Sequence, residues 1–193
     1  MSRTLIGIFL DCVETHQKPA QFMRKRDGRW ESIAAAAARS EVERVALGLR
    51  ALGVRPGERV ALLSETRYEW AIADLGILAL SAVTVPLYAT LTAEQSRFIL
   101  ENAEAVACVC STAAQLAKLR AIAPALPRLS HIVVMEPEAA AGGAIAWPFL
   151  SSGRRCVMRV SAVGEMQFTV TPYFAMPSAA ERVRPTMPSF AAE

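Results

Sequence analysis

Short apolar runs alternate with helix-start signals from Val60 onward, and this alternation constrains the fold more than any other feature of the sequence. Three threonines, Thr66, Thr92 and Thr112, are each followed three residues later by Glu or Gln, the pattern of a helix capping box. Strands that alternate with helices form a mostly parallel sheet with right-handed crossovers and helices on its faces. We therefore predict an α/β fold. Four runs have the β-branched, apolar character of strands buried on both faces: residues 60–63, 83–87, 106–110 and 131–135.

A β-hairpin is predicted before this region, over residues 20–33. Its turn falls at Asp27-Gly28, a pair that suits a type I′ turn because both central residues need positive φ. Phe22, Trp30 and Ile33 are expected to supply its apolar contacts.

A long helix is predicted over residues 34–52. Five alanines favour its first turns, and later apolar residues recur at helical spacing to form one buried stripe. Gly53 occupies the position of a left-handed residue just after the helix, and Pro56 lies beyond it. An alternative start is Ser40, since residues 40–43 themselves fit a capping box.

The composition indicates a globular protein of one domain. The 193 residues are 53% hydrophobic and 20% charged, with a net charge of +3. The basic run at residues 24–26 is interpreted as a solvated hairpin strand rather than a nucleic-acid contact. No signal-peptide pattern is present, and the most apolar stretch, residues 75–85, is shorter than the roughly 20 residues that a membrane span needs. We expect a cytoplasmic protein without a transmembrane segment or a nucleic-acid partner.

The cysteines are interpreted as buried thiols. Cys108 and Cys110 lie two residues apart in a predicted strand, so both face the same side. A metal site would need further ligands, and His16 and His131 form no pattern with them. Reduced cysteines that pack as small hydrophobic residues are therefore favoured over metal ligands.

The character of the chain changes near residue 150. Residues 151–193 contain four of the seven methionines, four of the eleven prolines and no lysine. Residues 157–160 and 166–170 are candidate strands, but proline interrupts anything longer. We predict a division into residues 1–150 and a divergent tail, residues 151–193, that is poorly ordered.

The stretch from Val60 to Thr92 resembles the N-terminal part of the AMP-forming acyl-CoA synthetases, most closely the long-chain fatty-acid–CoA ligases. Pro86-Leu87-Tyr88 favours the long-chain branch. The order and spacing of further pieces extend the resemblance over roughly residues 4–150: residues 25–30, 48–62, 91–95 and 111–116.

The resemblance implies a two-step reaction in the full family. A carboxylate attacks the α-phosphate of ATP and forms an acyl-adenylate, and the thiol of CoA then displaces AMP. ATP, Mg²⁺, CoA and a fatty acid are the implied cofactors and substrate. The glycine-rich phosphate loop, the ribose-binding acid and the C-terminal domain of the family lie beyond the matched region. We therefore assign no catalytic, cofactor-binding or metal residue, and we expect no tight binding of these cofactors.

Substitutes for the missing phosphate loop are weak. Residues 151–155, Ser-Ser-Gly-Arg-Arg, lack a second glycine and a lysine. Gly142-Gly143 is likewise not followed by a lysine. Tyr88, at a strand end, is expected to pack in the core or at its rim rather than to bind a ligand.

Carboxylates after the predicted strand at residues 60–63 also have structural interpretations. Glu65, Glu69 and Asp74 could suggest acid–base chemistry, but Glu69 is accounted for by the capping box at Thr66. A buried Asp74 needs a partner, and Arg67 is the candidate. Tyr68 and Trp70 are interpreted as packing residues.

Three functional hypotheses follow. The first is a truncated acyl-CoA synthetase whose reading frame is lost near residues 150–156 and which is inactive alone. The second is a non-catalytic binding or assembly module that pairs with a separately encoded remainder or weakly holds an acyl chain or a nucleotide. Under each hypothesis, exposed apolar surface is expected to favour self-association. The third, an unrelated flavodoxin-like or Rossmann-like nucleotide binder, is weakest because no G-x-G-x-x-G follows a strand.

Overall fold

The structure, a computed structural model, describes residues 4–140 and 143–147 together with the backbone of residues 156–160 and 166–170. The proposed poor order of the tail therefore lies mostly outside the described residues. The α-helices are α1 (Leu5–His16), α2 (Ala35–Ala51), α3 (Tyr68–Ala79), α4 (Ala93–Asn102) and α5 (Ala113–Ile122). The strands are β1 (Phe22–Arg26), β2 (Arg29–Ile33), β3 (Arg59–Leu63), β4 (Val83–Leu87), β5 (Ala107–Cys110), β6 (His131–Val134), β7 (Ile145–Ala146), β8 (Cys156–Val160) and β9 (Met166–Val170).

The predicted parallel sheet is confirmed. Five strands lie in the order β4-β3-β5-β6-β7, and every neighbouring pair is parallel. The four predicted strands match β3 to β6 with boundaries that differ by at most one residue. The two candidate strands of the tail correspond to β8 and β9, which form a separate antiparallel pair.

The sheet is covered on both faces. Its central strands β3 and β5 have almost no exposed surface, because successive side chains enter two different apolar layers. Val60, Leu62 and Val109 belong to the layer that contains α1, α2 and α3. Ala61, Leu63 and the thiols of β5 belong to the layer that contains α4 and α5.

Strand β4 departs from the prediction that all four strands are buried on both faces. It is one of the two edge strands of the sheet, and Val83 and Pro86 are exposed. The backbone N–H of Val83 donates to the Glu58 carbonyl (2.8 Å), on the side of β3. Because backbone N–H groups alternate in direction along a strand, the nitrogen of Pro86 faces away from the sheet. Proline at this position removes an outward N–H donor, which makes the edge a poorer template for pairing with another strand.

Only one of the three predicted capping boxes forms in full. Thr92 accepts from the Gln95 backbone N–H, and the Gln95 side chain accepts from the Thr92 N–H. At Thr112 only the hydroxyl half forms. The box predicted at Thr66 is wrong: α3 begins one residue later, with Arg67 as its N-cap, so Glu69 is not at the third helical position that the box requires.

The hairpin turn is confirmed, but one of its predicted apolar contacts is wrong. Asp27 and Gly28 have φ of 48° and 77°, as a type I′ turn requires. Phe22 and Ile33 face the core, whereas Trp30 pairs with Lys25 on the opposite face and is 64% exposed. Alternation along the strand places Trp30 on that outer face.

Helix α2 starts near the alanines rather than at Ser40, and Gly53 has the predicted left-handed conformation, with φ of 90°. Helix α1 was not predicted. Thr4 caps its first turn by accepting from the Gly7 N–H, and Ile6, Leu10 and Val13 bury its apolar side. No helix among the described residues is both long enough and apolar enough to cross a bilayer.

Helices α2 and α3 approach each other closely at Gly76. A Cβ atom at this position would lie 2.6 Å from Cγ1 and 3.0 Å from Cβ of Val45. These distances are shorter than van der Waals contact, so glycine is required for the spacing of the two helices.

We predict that Gly76→Ala destabilises the protein by about 1–2 kcal/mol, because overpacking outweighs the higher helix propensity of alanine. Chemical denaturation followed by circular dichroism measures the change. Val45→Ala removes the closest clashing atom, so the double variant should be more stable than the sum of the two single losses. Additive losses would contradict a direct clash between these two residues.

Candidate functional site at the carboxyl ends of the parallel strands

The loops that follow β3, β4, β5 and β6 lie at one edge of the sheet, because all four strands are parallel. In α/β proteins ligands bind beyond this edge. Polar side chains concentrate here: Ser64 and Glu65 follow β3, Ser111 follows β5, and Glu136 follows β6. This edge is the candidate functional site.

Glu65 is held by two donors from the neighbouring strand and helix. The Ser111 hydroxyl donates to Glu65 Oε2 (2.5 Å), and Gln115 Nε2 donates to Glu65 Oε1 (3.2 Å). The hydrogen bond from Ser111 lowers the pKa of Glu65, with smaller contributions from Gln115 and the charge of Arg67. Glu65 is thus a fixed, ionised carboxylate that joins the ends of β3 and β5.

Helix α5 also holds the loop that follows β4. Gln115 Nε2 donates to the Ala89 carbonyl (3.0 Å), and Lys118 Nζ donates to the carbonyls of Ala89 and Leu91 (both 2.9 Å). Gln115 is only 5% exposed, so its amide links two loops from inside the structure. The capping box at Thr112 stays incomplete because the two bonds of Gln115 Nε2 direct the side chain toward Glu65 and Ala89. Gln115 Oε1, the atom that would accept from the Thr112 N–H, has no hydrogen-bond partner among the described residues.

Tyr88 is presented to solvent by this restrained loop. Its side chain is 81% exposed, so the prediction that it packs in the core or at its rim is wrong. Tyr88 follows Leu87, which is the last residue of β4 that pairs with β3. The neighbouring strand therefore does not cover the Tyr88 side chain. Tyr68, by contrast, is buried as predicted, and burial raises the pKa of its phenol.

Arg67 connects the end of β3 to the end of β6. Its Nε donates to Glu69 (2.8 Å), and its NH1 lies 3.8 Å from Glu136 Oε1. The predicted pairing of Arg67 with Asp74 is therefore wrong; Asp74 is only partly buried. The guanidinium is committed to two carboxylates at the sheet edge.

The remaining candidates do not join this site. His131 begins β6, so it lies at the opposite end of that strand, and His16 ends α1. Cys108 and Cys110 are buried, as predicted, and burial raises the pKa of Cys110 to about 12 and that of Cys108 well above its ordinary value. The prediction of buried cysteines is wrong for Cys12, which is exposed on α1. Within the described parts of the chain, no group of three His, Cys, Asp or Glu side chains could hold a metal ion. Residues 151–155 and Gly142 lie outside the described residues.

The residues that organise this edge were missed in the sequence interpretation. Ser111, Gln115 and Lys118 act through contacts with residues 26 to 50 positions away, which no local pattern shows. The local sequence contains one indication of this site, which is that Ser111 lies directly after a strand. The resulting arrangement anchors loops, and its donors and its arginine are already engaged by protein groups.

The fold defined by this sheet and its helices is similar to part of the fold of solved CoA ligase structures. A structure described as a putative long-chain-fatty-acid CoA ligase from Rhodopseudomonas palustris is similar with a TM-score of 0.69 and 19% identity, over 86% of this chain and 44% of that one. Acetoacetyl-CoA synthetase from Streptomyces lividans is similar with a TM-score of 0.68 and 18% identity, over 86% of this chain and 26% of that one.

Residues 11–157 match the family model described as AMP-binding enzyme, and the chain belongs to that family. Over 121 residues it is 44% identical to the long-chain-fatty-acid–CoA ligase FadD15 of Mycobacterium tuberculosis, covering 61% of this chain and 20% of FadD15. An uncharacterised protein of Mycobacterium tuberculosis is 37% identical over 81 residues, covering 42% of this chain and 43% of that protein. The chain thus spans about one-fifth of the length of FadD15.

We predict that Gln115→Leu and Lys118→Met each loosen the loop after β4. Loss of the single Gln115 bond to Ala89 should raise the rate of chymotrypsin cleavage after Tyr88 by about fivefold, since a hydrogen bond contributes roughly 1 kcal/mol to holding the loop, and loss of the two Lys118 bonds should raise it further. Mass spectrometry of the fragments measures the rate. Cleavage after Phe98, in α4, is the internal control and should not change; equal acceleration at both sites would indicate general unfolding instead.

We further predict that Glu65→Gln makes the protein less stable at neutral pH but not in acid. Because the folded-state pKa of Glu65 is lowered, its stabilising effect is present above the unfolded pKa of about 4.3 and is lost as pH falls through the folded value. Solvent screening limits the effect to no more than about 1 kcal/mol. Denaturation at a series of pH values tests this, with Glu138→Gln as a control of equal charge change. If the difference in the free energy of unfolding between the two proteins does not change with pH, the lowered pKa of Glu65 does not contribute to stability.

Proposed function

We propose that residues 1–150 are the N-terminal portion of a long-chain fatty-acid–CoA ligase and that the 193-residue chain is inactive alone. The 44% identity to FadD15 over 121 residues is the observation that carries the assignment to a ligase. The fatty acid, ATP, Mg²⁺ and CoA would then be bound by the complete ligase.

The chemistry of the described loops at the carboxyl ends of the strands supports the proposal that this chain does not bind a nucleoside triphosphate by itself. Binding of phosphates uses backbone N–H groups of a glycine-rich loop and free cations. The loops after β3, β4 and β5 contain no glycine. Arg67 is paired with carboxylates, and Lys118 donates to two backbone carbonyls. The proposal of an inactive chain rests on this mismatch.

In this proposal, the carboxyl-end cluster acts as a scaffold. Glu65, Ser111 and Gln115 hold the loops after β3 and β5, while Lys118 holds the loop after β4. A scaffold of this kind fixes the edge against which the rest of a ligase could pack, without contributing a reacting group.

A second candidate function is assembly with a separately encoded remainder. An open groove beside α4 is lined in part by Leu91 and Phe98, and Phe98 is 67% exposed. Tyr88 is exposed just before this helix. Exposed aromatic side chains are characteristic of protein interfaces and would also favour self-association of the isolated chain.

The purified chain is predicted to catalyse no ATP–pyrophosphate exchange with any short-, medium- or long-chain fatty acid. Exchange reports adenylate formation directly, since that step releases pyrophosphate. FadD15 serves as the positive control under the same conditions. Exchange that depends on the fatty acid would overturn the proposal of an inactive chain.

Co-expression separates the two candidates. If the chain is an assembly module, it should co-purify with a ligase segment lacking the homologous N-terminal residues and restore exchange activity. Tyr88→Ser combined with Phe98→Ser should then weaken the complex by about tenfold or more, as expected for interface hot spots. An absence of co-purification would leave the inactive-portion proposal standing and exclude assembly with that segment.

A further inference from the structure

Helices α4 and α5 begin with closely similar residues, Thr-Ala-Glu-Gln and Thr-Ala-Ala-Gln, but use them differently. Thr92 and Thr112 are both extended N-cap residues, and a glutamine occupies the third position of each helix. In α4 the full capping box forms: the Gln95 N–H donates to Thr92 Oγ1 (3.2 Å), and the Thr92 N–H donates to Gln95 Oε1 (3.0 Å). In α5 only the bond from the Gln115 N–H to Thr112 Oγ1 forms (3.4 Å). The capping position is therefore an alternative for the Gln115 side chain.

The observed position of Gln115 ties two loops together instead. Its Nε2 donates to Glu65 Oε1 (3.2 Å) and to the Ala89 carbonyl (3.0 Å). Both partners are acceptors only, because the hydrogen bond from Ser111 lowers the pKa of Glu65 and keeps its carboxylate ionised. The amide nitrogen of Gln115, and not its oxygen, must therefore face them.

This position leaves hydrogen-bonding groups at the start of α5 unpaired. Gln115 is 5% exposed, and its Oε1 has no hydrogen-bond partner among the described residues. The same part of the chain supplies no acceptor for the Thr112 N–H. A buried acceptor without a partner is destabilising. If Gln115 turns toward Thr112, both groups are paired and the bonds to Glu65 and Ala89 are lost, so each position gains what the other gives up.

We propose that Gln115 is a two-position switch. In one position it ties the loop after β4 to Glu65, and in the other it completes the capping box of α5 and loosens that loop. The two positions differ by the balance of two or three hydrogen bonds, whose net contributions to stability are small. A modest interaction elsewhere can therefore reverse the preference.

The loop that the switch controls carries the exposed Tyr88. Lys118 still holds this loop through two backbone carbonyls, so the switch loosens the loop without detaching it. A group that contacts Tyr88 and favours the loosened loop draws Gln115 toward Thr112, and the first turn of α5 becomes fully capped. The order of an exposed loop is thereby coupled to the start of a neighbouring helix. This coupling concerns the folded chain alone and does not depend on ligase activity.

The test is amide hydrogen exchange of the purified 193-residue chain, resolved by residue with nuclear magnetic resonance. The Leu91 amide, which donates to the Tyr88 carbonyl (3.1 Å), reports on the loop, and the Thr112 amide reports on the cap. Gln115→Glu should favour the capping position, because a carboxylate is a good acceptor at a helix N-terminus and is repelled by Glu65. We expect exchange to become about fivefold faster at Leu91 and about fivefold slower at Thr112.

Two further variants separate a switch from a simple tie. Leucine can occupy neither position, so Gln115→Leu should accelerate exchange at Leu91 about fivefold and change it at Thr112 by less than about twofold. Glu65→Gln weakens the tie from the opposite side, since an amide oxygen is a weaker acceptor than a carboxylate. It should slow exchange at Thr112 about threefold while Gln115 itself is unchanged.

Gln95 in α4 is the matched control, because its capping box is already complete. Gln95→Glu should change exchange at Thr92 by less than about twofold, since the bond to the Thr92 N–H is present in both proteins. Gln95→Leu removes that bond and should accelerate exchange at Thr92 about fivefold.

Three outcomes would overturn the proposal. The first is unchanged or faster exchange at Thr112 in Gln115→Glu, which would show that the capping position is not available. The second is an unchanged rate at Thr112 in Glu65→Gln, which would show that the tie to Glu65 does not oppose capping. The third is an unchanged rate at Leu91 in Gln115→Leu, which would show that Gln115 does not hold the loop. None of these outcomes bears on the ATP–pyrophosphate assay, so the proposed function would stand or fall separately.

Discussion

Burial of β3 and β5 on both faces is the constraint on which the rest of the structure depends. The side chains of each strand alternate between the two faces of the sheet, so helices must cover both faces to exclude water from the strand. Helices α2 and α3 must therefore pack tightly on one face, which explains the close approach at Gly76. Helices α4 and α5 cover the other face, and α5 thereby carries Gln115 and Lys118 to the carboxyl edge.

The polar edge follows from the same arrangement. Parallel strands end together, and their loops must satisfy backbone groups that the sheet leaves unpaired. Gln115 and Lys118 supply part of that requirement for the loop after β4, and Ser111 fixes Glu65 at the end of β3. The side chains at this edge form hydrogen bonds with other groups of the protein, which supports a structural rather than a catalytic role for the edge.

Features governed by local chemistry could be predicted from the sequence, whereas features governed by distant contacts could not. The Asp27-Gly28 turn, Gly53 and the strands β3 to β6 depend on backbone preference and on apolar character, and they were predicted, whereas the two-residue strand β7 was not. The apolar character of Trp30 predicts a contact with the core, whereas the two-residue period of the strand places its side chain on the outer face. Tyr88 was misplaced because nothing local shows that β4 lies at the edge of the sheet. The links from Gln115 to Glu65 and Ala89 join residues far apart in sequence.

Native-state hydrogen exchange of the purified chain, resolved by residue with nuclear magnetic resonance, tests the central claim that the two-sided sheet folds as a stable unit. The slowest amides should include Ser111, which donates to the Leu63 carbonyl, and Met135, which donates to the Cys110 carbonyl. They should exchange only through global unfolding, whereas hairpin amides exchange faster. Fast exchange at Ser111 and Met135 under native conditions would show that the sheet is not stable in this chain and would contradict the account.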